Sequence, residues 1–214
     1  MRLTQLTTIA AVAGVIAAPL AMTPQTAFAS TDATGSAYAI AGSGVAAIPA
    51  TPAVSSSARQ ATQTSAVKVP ANPLVQASVL NASAKAGHAR AVVADLKVAK
   101  LGLAAHLITA KCENGAGTSN LVKVVLNGHV LRAGAQPNST VTVPLDKLGT
   151  VSVVLNKQVR DASGRLTVTA LELSAPLGPG KVEKISIASA TCGQAAGTPA
   201  PMPTPVPGDL PVTG

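Results

Sequence analysis

A chain of 214 residues suits one domain with flanking segments. It has no Trp, and once Phe28 leaves with the N-terminal segment discussed next, Tyr38 is the last aromatic; nucleobases and sugar rings are gripped by stacking on such faces, so neither class is expected as a ligand and no nucleic acid is expected as a partner. The 16 Lys+Arg against 8 Asp+Glu give +8, or +7 without Arg2, spread so thinly that a solubilising surface charge or loose contact with an anionic wall polymer fits better than a nucleic-acid patch.

Met1-Arg2 is a short basic start, and Ile9 to Met22 is an apolar run interrupted by Pro19. Ala27 and Ala29 then supply the small residues that signal peptidase fits, with Ser30 as the first mature residue. The layout is that of a secretory signal over 1–29, its apolar run being too short to span a bilayer. Residues 30–35 read as a polar leader.

Ser36 to Ile48 is uncharged and apolar, but Gly42, Gly44, Pro49 and Pro52 argue against a helix. A strand bulged at the glycines is expected, followed by a long Pro/Ser/Thr/Ala loop over 49–73. Val92, Ala94, Leu96 and Val98 alternate with Val93, Asp95, Lys97 and Ala99, which predicts a half-buried strand, although the same stretch also fits a helical period. Leu103 to Cys112 is the next strand, closed by Asn114-Gly115. Asn120 to Leu126 carries Val122, Val124 and Leu126 on one expected face, and Asn127-Gly128 turns it into His129-Val130-Leu131, a type I′ hairpin signal. Thr140 to Val143, Thr150 to Leu155, Arg165 to Leu173 and Val182 to Ser189 continue in short Val/Thr/Leu runs parted by Gly, Pro, Asn or Asp. Such spacing predicts an all-β, antiparallel β-sandwich or barrel-like domain over 36–193.

The apolar content of 47% is mostly Ala, Val and Leu, and alanine buries little area, so a further source of stability is expected. In an exported chain the two cysteines, Cys112 and Cys192, supply it as a disulfide. Closing a loop of about 80 residues stabilises by about 4.5 kcal/mol in the chain-entropy account.

After Cys192 the composition changes: 194–209 is a Pro-rich, semi-rigid spacer. Leu210-Pro211-Val212-Thr213-Gly214 follows and resembles the Leu-Pro-x-Thr-Gly signal of sortase substrates. By that resemblance, a sortase cysteine attacks the Thr213 carbonyl, Gly214 leaves, and Thr213 passes to an amine of the peptidoglycan precursor. Sortase substrates continue into an apolar helix and a basic tail, whereas this sequence stops at Gly214. Two expectations stand: a longer native chain that is anchored, or a released protein.

A second resemblance covers the domain. Ser36-Ala37-Tyr38, Gly87-His88-Ala89-Arg90, Cys112-Glu113-Asn114-Gly115, Leu166-Thr167-Val168-Thr169-Ala170-Leu171 and Ala188-Ser189-Ala190-Thr191-Cys192-Gly193 are similar to the choice-of-anchor P family, exported proteins of high-GC Gram-positive bacteria (actinobacteria). The resemblance implies surface display and a structural role for the cysteines, and it implies no catalytic residues.

An enzyme finds little footing. His88, His106 and His129 form no His-x-His or His-x-x-x-His pair, and no Gly-x-Ser-x-Gly elbow is present, so no metal, cofactor or catalytic residue is assigned. His106 shares parity with Ile108, Ala110 and Cys112 and is expected partly buried; His129 is expected exposed. Glu172 shares parity with Leu166, Val168 and Ala170, so a Lys or Arg partner is expected for it. The function expected is non-enzymatic display or adhesion at the cell wall. A secreted module holding anionic wall polymer, an unidentified surface protein as partner, and a secreted hydrolase are the alternatives.

Overall fold

The computed structural model describes residues 33–44, 47–67, 75–131, 135–145, 149–176 and 180–193. Among them the chain forms β1 (Gly35–Ser43), β2 (Ile48–Ser56), β3 (Thr62–Ala66), β4 (Val75–Gln76), β5 (Val79–Lys85), β6 (His88–Val98), β7 (Leu103–Glu113), β8 (Ala116–Leu126), β9 (His129–Leu131), β10 (Ser139–Leu145), β11 (Gly149–Arg160), β12 (Leu166–Pro176) and β13 (Val182–Cys192). One 3-10 turn, Ala99–Leu101, joins β6 to β7. Asn-Gly turns close β7–β8 and β8–β9, with both Asn114 and Asn127 at positive φ, the backbone state a type I′ hairpin requires.

Two antiparallel sheets stack as a sandwich. The first runs β10-β11-β12-β13-β1-β2, and the second β3-β5-β6-β7-β8-β9 with β4 beside β6. The chain thus starts in the first sheet, builds the second as a meander, and returns so that β13 pairs with β1 from Gly35↔Cys192 to Ser43↔Lys184. The all-β sandwich expected from the sequence is the fold observed.

Three expectations are corrected. The span 36–48 is not one strand: β1 ends at Ser43 and Ile48 opens β2. The long loop expected over 49–73 instead holds β2 and β3, because Pro49 and Pro52 sit in a strand that is the last of its sheet, where a missing N–H donor is tolerated. The third correction concerns faces. In β6 the buried residues are Ala89, Ala91 and Val93, then Leu96 and Val98; in β7 Leu103 and Ala105, then Ile108, Ala110 and Cys112; in β8 Leu121, then Val124 and Leu126. Parity flips in three neighbouring strands along one transverse line.

The line is visible in the pairing. β6 and β7 pair Ala94↔Leu107 and Leu96↔Ala105, skipping Asp95 and His106; β7 and β8 skip His106 and Lys123. Asp95 and Lys123 carry φ of 48° and 50°. The first sheet has the same crease, skipping Asn156 and Ala170, Ala170 and Ala188, and Ala39 and Ala188, with Asn156 and Ala188 at φ of 49° and 51°. Left-handed residues in alternate strands turn both sheets over together, so simple alternation fails beyond the crease. Val92, Ala94 and Val122 therefore lie on the outer face.

The core is graded in side-chain size. On the cystine side of the creases the buried residues are mainly small: Ala37, Ala82, Ala84, Ala89, Ala91, Ala110 and Ala190. On the other side they are Ile40, Leu96, Val98, Val124, Leu126, Leu173 and Ile187. Cys112 in β7 and Cys192 in β13 join the two sheets with Cα atoms 5.6 Å apart, where stacked sheets ordinarily stand about 10 Å apart. Convergence to that distance demands small residues, and Gly117 shows how closely: a Cβ there would collide with Val168 Cγ2 and lie 2.9 Å from Leu166 Cδ2.

Candidate functional site

The end of the sandwich that carries the cystine also holds the first and last described residues. Gly193 N–H donates to the Thr34 carbonyl at 3.3 Å, and Gly87 N–H donates to Ala33 at 2.9 Å. Ala33, Thr34 and Gly193, at the two ends of the described residues, therefore lie side by side, next to the Ala86-Gly87 turn of the β5–β6 hairpin. Cys112 and Cys192 are fully buried, and Gly115 N–H points at Cys192 Sγ at 3.3 Å. Arg160 donates across the sheets to the Gly115 carbonyl, and Gln158 to Gly117 at 3.1 Å. These cross-sheet bonds tie the same end.

On the outer face of the second sheet, close to this end, lies a recess of about 310 Å³ lined by Lys85, His88, Arg90, Lys111, Glu113 and Ser83, with alanines between them. It exists because three strands bring one basic residue each: Lys85 from β5, Arg90 from β6 and Lys111 from β7. The pairings Ser83↔Arg90 and Arg90↔Lys111 form one row, and Lys85↔His88 and His88↔Glu113 the next. Lys111 Nζ meets Glu113 at 2.8 Å, and this bond, with Lys111, His88 and Lys85 around it, holds the Glu113 carboxyl below its ordinary 4.5. The His88 ring nitrogen Nδ1 bonds the Ala86 carbonyl at 3.0 Å, which fixes the imidazole against the hairpin turn. A smaller-charged recess of similar volume, between Gln76, Lys97 and the 3-10 turn, lies at the opposite end.

The crease of the second sheet brings together a serine, an acid and a histidine. Ser78 Oγ donates to Asp95 Oδ2 at 2.8 Å and His106 Nδ1 bonds Asp95 Oδ1 at 3.0 Å. Both bonds, that of Ser78 first, lower the Asp95 pKa from 3.8. An acyl-transfer triad needs the imidazole between serine and acid; here the carboxylate stands between them, so the imidazole is not placed to take the Ser78 proton. His106 is 65% exposed at its side chain rather than partly buried, since the parity flip turns it outward. Among the described residues no three His, Cys, Asp or Glu are placed to hold a metal ion.

Glu172 does have the basic partner expected of it: Lys157 Nζ meets both of its oxygens at 2.7 Å. The flip beyond Ala170 places this pair on the outer face of the first sheet instead of the face of Val168. His129 is exposed at the start of β9, as read from the sequence. Asp161 closes the β11–β12 turn, where Ser163 and Arg165 bond its carboxylate and lower its pKa to about 2.

The structure unites Cys112 with Cys192 as the sequence indicated. Ala27, Ala29 and Ser30 of the cleavage site, and Leu210, Pro211, Val212, Thr213 and Gly214 of the sorting motif, lie outside the described residues. The basic recess was not foreseen, because Lys85, Arg90 and Lys111 are isolated in sequence and only the register of β5, β6 and β7 assembles them. The alternation of Leu80, Ala82 and Ala84 with Asn81, Ser83 and Lys85 is the signal that marks β5. Compared with family models, with curated proteins and with solved structures, the chain matches none.

Proposed function

We propose that this is an exported cell-surface protein, a non-enzymatic display or adhesion domain joined to the peptidoglycan by sortase through Thr213. The observation that carries the reading is the Leu210-Pro211-Val212-Thr213-Gly214 motif behind a Pro-rich spacer, in a chain that opens on a secretory-type segment. The resemblance of residues 36–193 to choice-of-anchor P domains agrees with it.

The geometry of the domain supports the reading in two ways. A cystine buried between two sheets forms and persists in an oxidising compartment. The tail departs from β13, which is hydrogen-bonded on both sides, by β12 and β1, and is held to the opposite sheet by Cys192. Force on an anchored tail is thereby taken up by a central strand and a covalent cross-link, as a tethered domain requires.

The chemistry of attachment follows from the motif. The sortase thiolate adds to the Thr213 carbonyl, the Thr213–Gly214 amide bond breaks with its nitrogen taking a proton, and a wall-precursor amine then displaces the thiolate to form a new amide. Replacing Thr213 by Ala in the native protein is expected to move it from the muramidase-released wall fraction into the medium. Equal wall retention of the T213A form would refute covalent anchoring at this site.

A further inference from the structure

The outer face of the second sheet sets like charges against each other. Arg90 and Lys111 are direct cross-strand partners, an arrangement that weakens a sheet because such side chains stand about 5 Å apart. Among the described residues Glu113 is the one carboxylate lining the recess, and Lys111 already engages it. Among the described residues, the side chains of Arg90 and Lys85 have no hydrogen-bond or ion-pair partner. One carboxylate set among Lys85, Arg90 and Lys111 compensates the broken rule only in part, which is what a site awaiting an external charge looks like.

The chemistry of the lining narrows the ligand. The Arg90 guanidinium offers a planar fork of N–H donors that matches phosphate oxygens in pairs, while Lys85 and Lys111 add point charges and Ser83 a hydroxyl. Among the described residues no aromatic ring lines the recess, so a nucleobase or a stacked sugar has nothing there to lie on. The recess is open along the strand face rather than closed around a small molecule, which suits one stretch of a longer chain. Its position also matters: a Cβ on Gly35 would run into the Lys85 and His88 carbonyls, and Gly35 pairs with Cys192. The recess thus sits at the end of the domain from which the tail leaves.

We propose that Lys85, Arg90 and Lys111, with Ser83 and His88 at the margin, bind the phosphate groups of an anionic surface polymer. The biological ligand rests on the surface location proposed above; the binding chemistry does not, and is measured separately from it. The Lys111 hydrogen bond first, and after it the charges of Lys111, His88 and Lys85, hold the Glu113 carboxyl below its ordinary value.

The test is calorimetric titration of the oxidised mature protein with long-chain inorganic polyphosphate at low ionic strength, with inorganic phosphate and polygalacturonate as parallel arms. Polyphosphate is expected to bind, and to bind more tightly than inorganic phosphate, because neighbouring cations engage successive groups of one chain. Arg90→Gln and Lys111→Gln are each expected to weaken it about tenfold, the size of one lost charged hydrogen bond. Lys184→Gln, on the exposed outer face of the first sheet, is expected to leave binding unchanged. Arg90→Gln should unfold at the same temperature as the parent or higher, since it removes one of two like charges set against each other; Lys111→Gln also breaks the Glu113 ion pair and is read by its binding alone.

Failure of polyphosphate to bind, equal weakening by Lys184→Gln, or equally tight polygalacturonate would each overturn the proposal. Such a result leaves wall attachment standing, whereas a protein found only inside the cell would remove the biological ligand and leave the measured chemistry intact.

Discussion

Asp161 shows how much of this surface is organised by single side chains. Its carboxylate accepts from the Ser163 hydroxyl at 2.6 Å, the Arg165 guanidinium at 2.9 Å and the Ser163 and Arg165 backbone N–H groups. All of these favour the ionised form, Ser163 most, which lowers the pKa from 3.8 to about 2. A depressed folded-state value means that the turn's contribution to stability is fully present above pH 3.8 and is lost as the pH falls through about 2. A carbon-detected NMR titration should find the Asp161 midpoint near 2, and Ser163→Ala should move it upward; an unmoved midpoint would assign the shift to another cause. Gly117 makes a steric rather than electrostatic point. Gly117→Ala places a methyl against Val168 and Leu166 where the sheets converge, and overpacking of this kind costs about 1–3 kcal/mol. Calorimetry should show a lowered melting temperature, and a neutral result would mean that the sheets can separate there.

The cystine and the creases account for what the strands do together. Ala-rich segments that would be a poor core in an ordinary sandwich are what permits Cys112 and Cys192 to approach within 5.6 Å, so the alanine content and the disulfide are one design seen from two sides. Joint replacement of Cys112 and Cys192 by Ala is expected to cost about 4 kcal/mol, given a separation of 80 residues. Urea unfolding measures it, and a variant as stable as the parent would show that packing alone holds the sheets. Most of the strand plan was legible in the sequence, since Asn114-Gly115 and Asn127-Gly128 mark turns chemically and the Val/Thr/Leu runs between them alternate. Faces were legible only on one side of each crease. Asp95 and Asn156 are residue types that tolerate the left-handed region, but Lys123 and Ala188 carry no such signal, so no crease could be read from residue types alone. That is why His106, Glu172 and Val122 were placed on the wrong face. β2 has the composition of a loop, because Pro49 and Pro52 look like breakers until the strand is known to lie at the edge of its sheet. The recess could not be read at all, because Lys85, Arg90 and Lys111 meet only through inter-strand register.

The molecule as a whole has a polarity of ends. Thr34 and Gly193 meet beside the cystine, the basic recess lies near the same end, and Leu96, Val98, Leu126 and Leu173 are among the residues that fill the core at the other. We read this as a domain held at one end and presented at the other, with the Pro-rich segment as its spacer. Cationic side chains beside the exit would then meet anionic polymer near the point of attachment, so that a covalent link and an electrostatic contact act on the same end. Mass spectrometry of the species released by muramidase from purified walls of the native host measures the proposed anchoring directly. A wall-anchored protein is expected to give a chain beginning at Ser30, carrying one intact cystine, and ending at Thr213 in amide linkage to a peptidoglycan fragment. A chain that retains Met1 inside the cell, or that appears only in the medium with no wall fragment on Thr213, would contradict it.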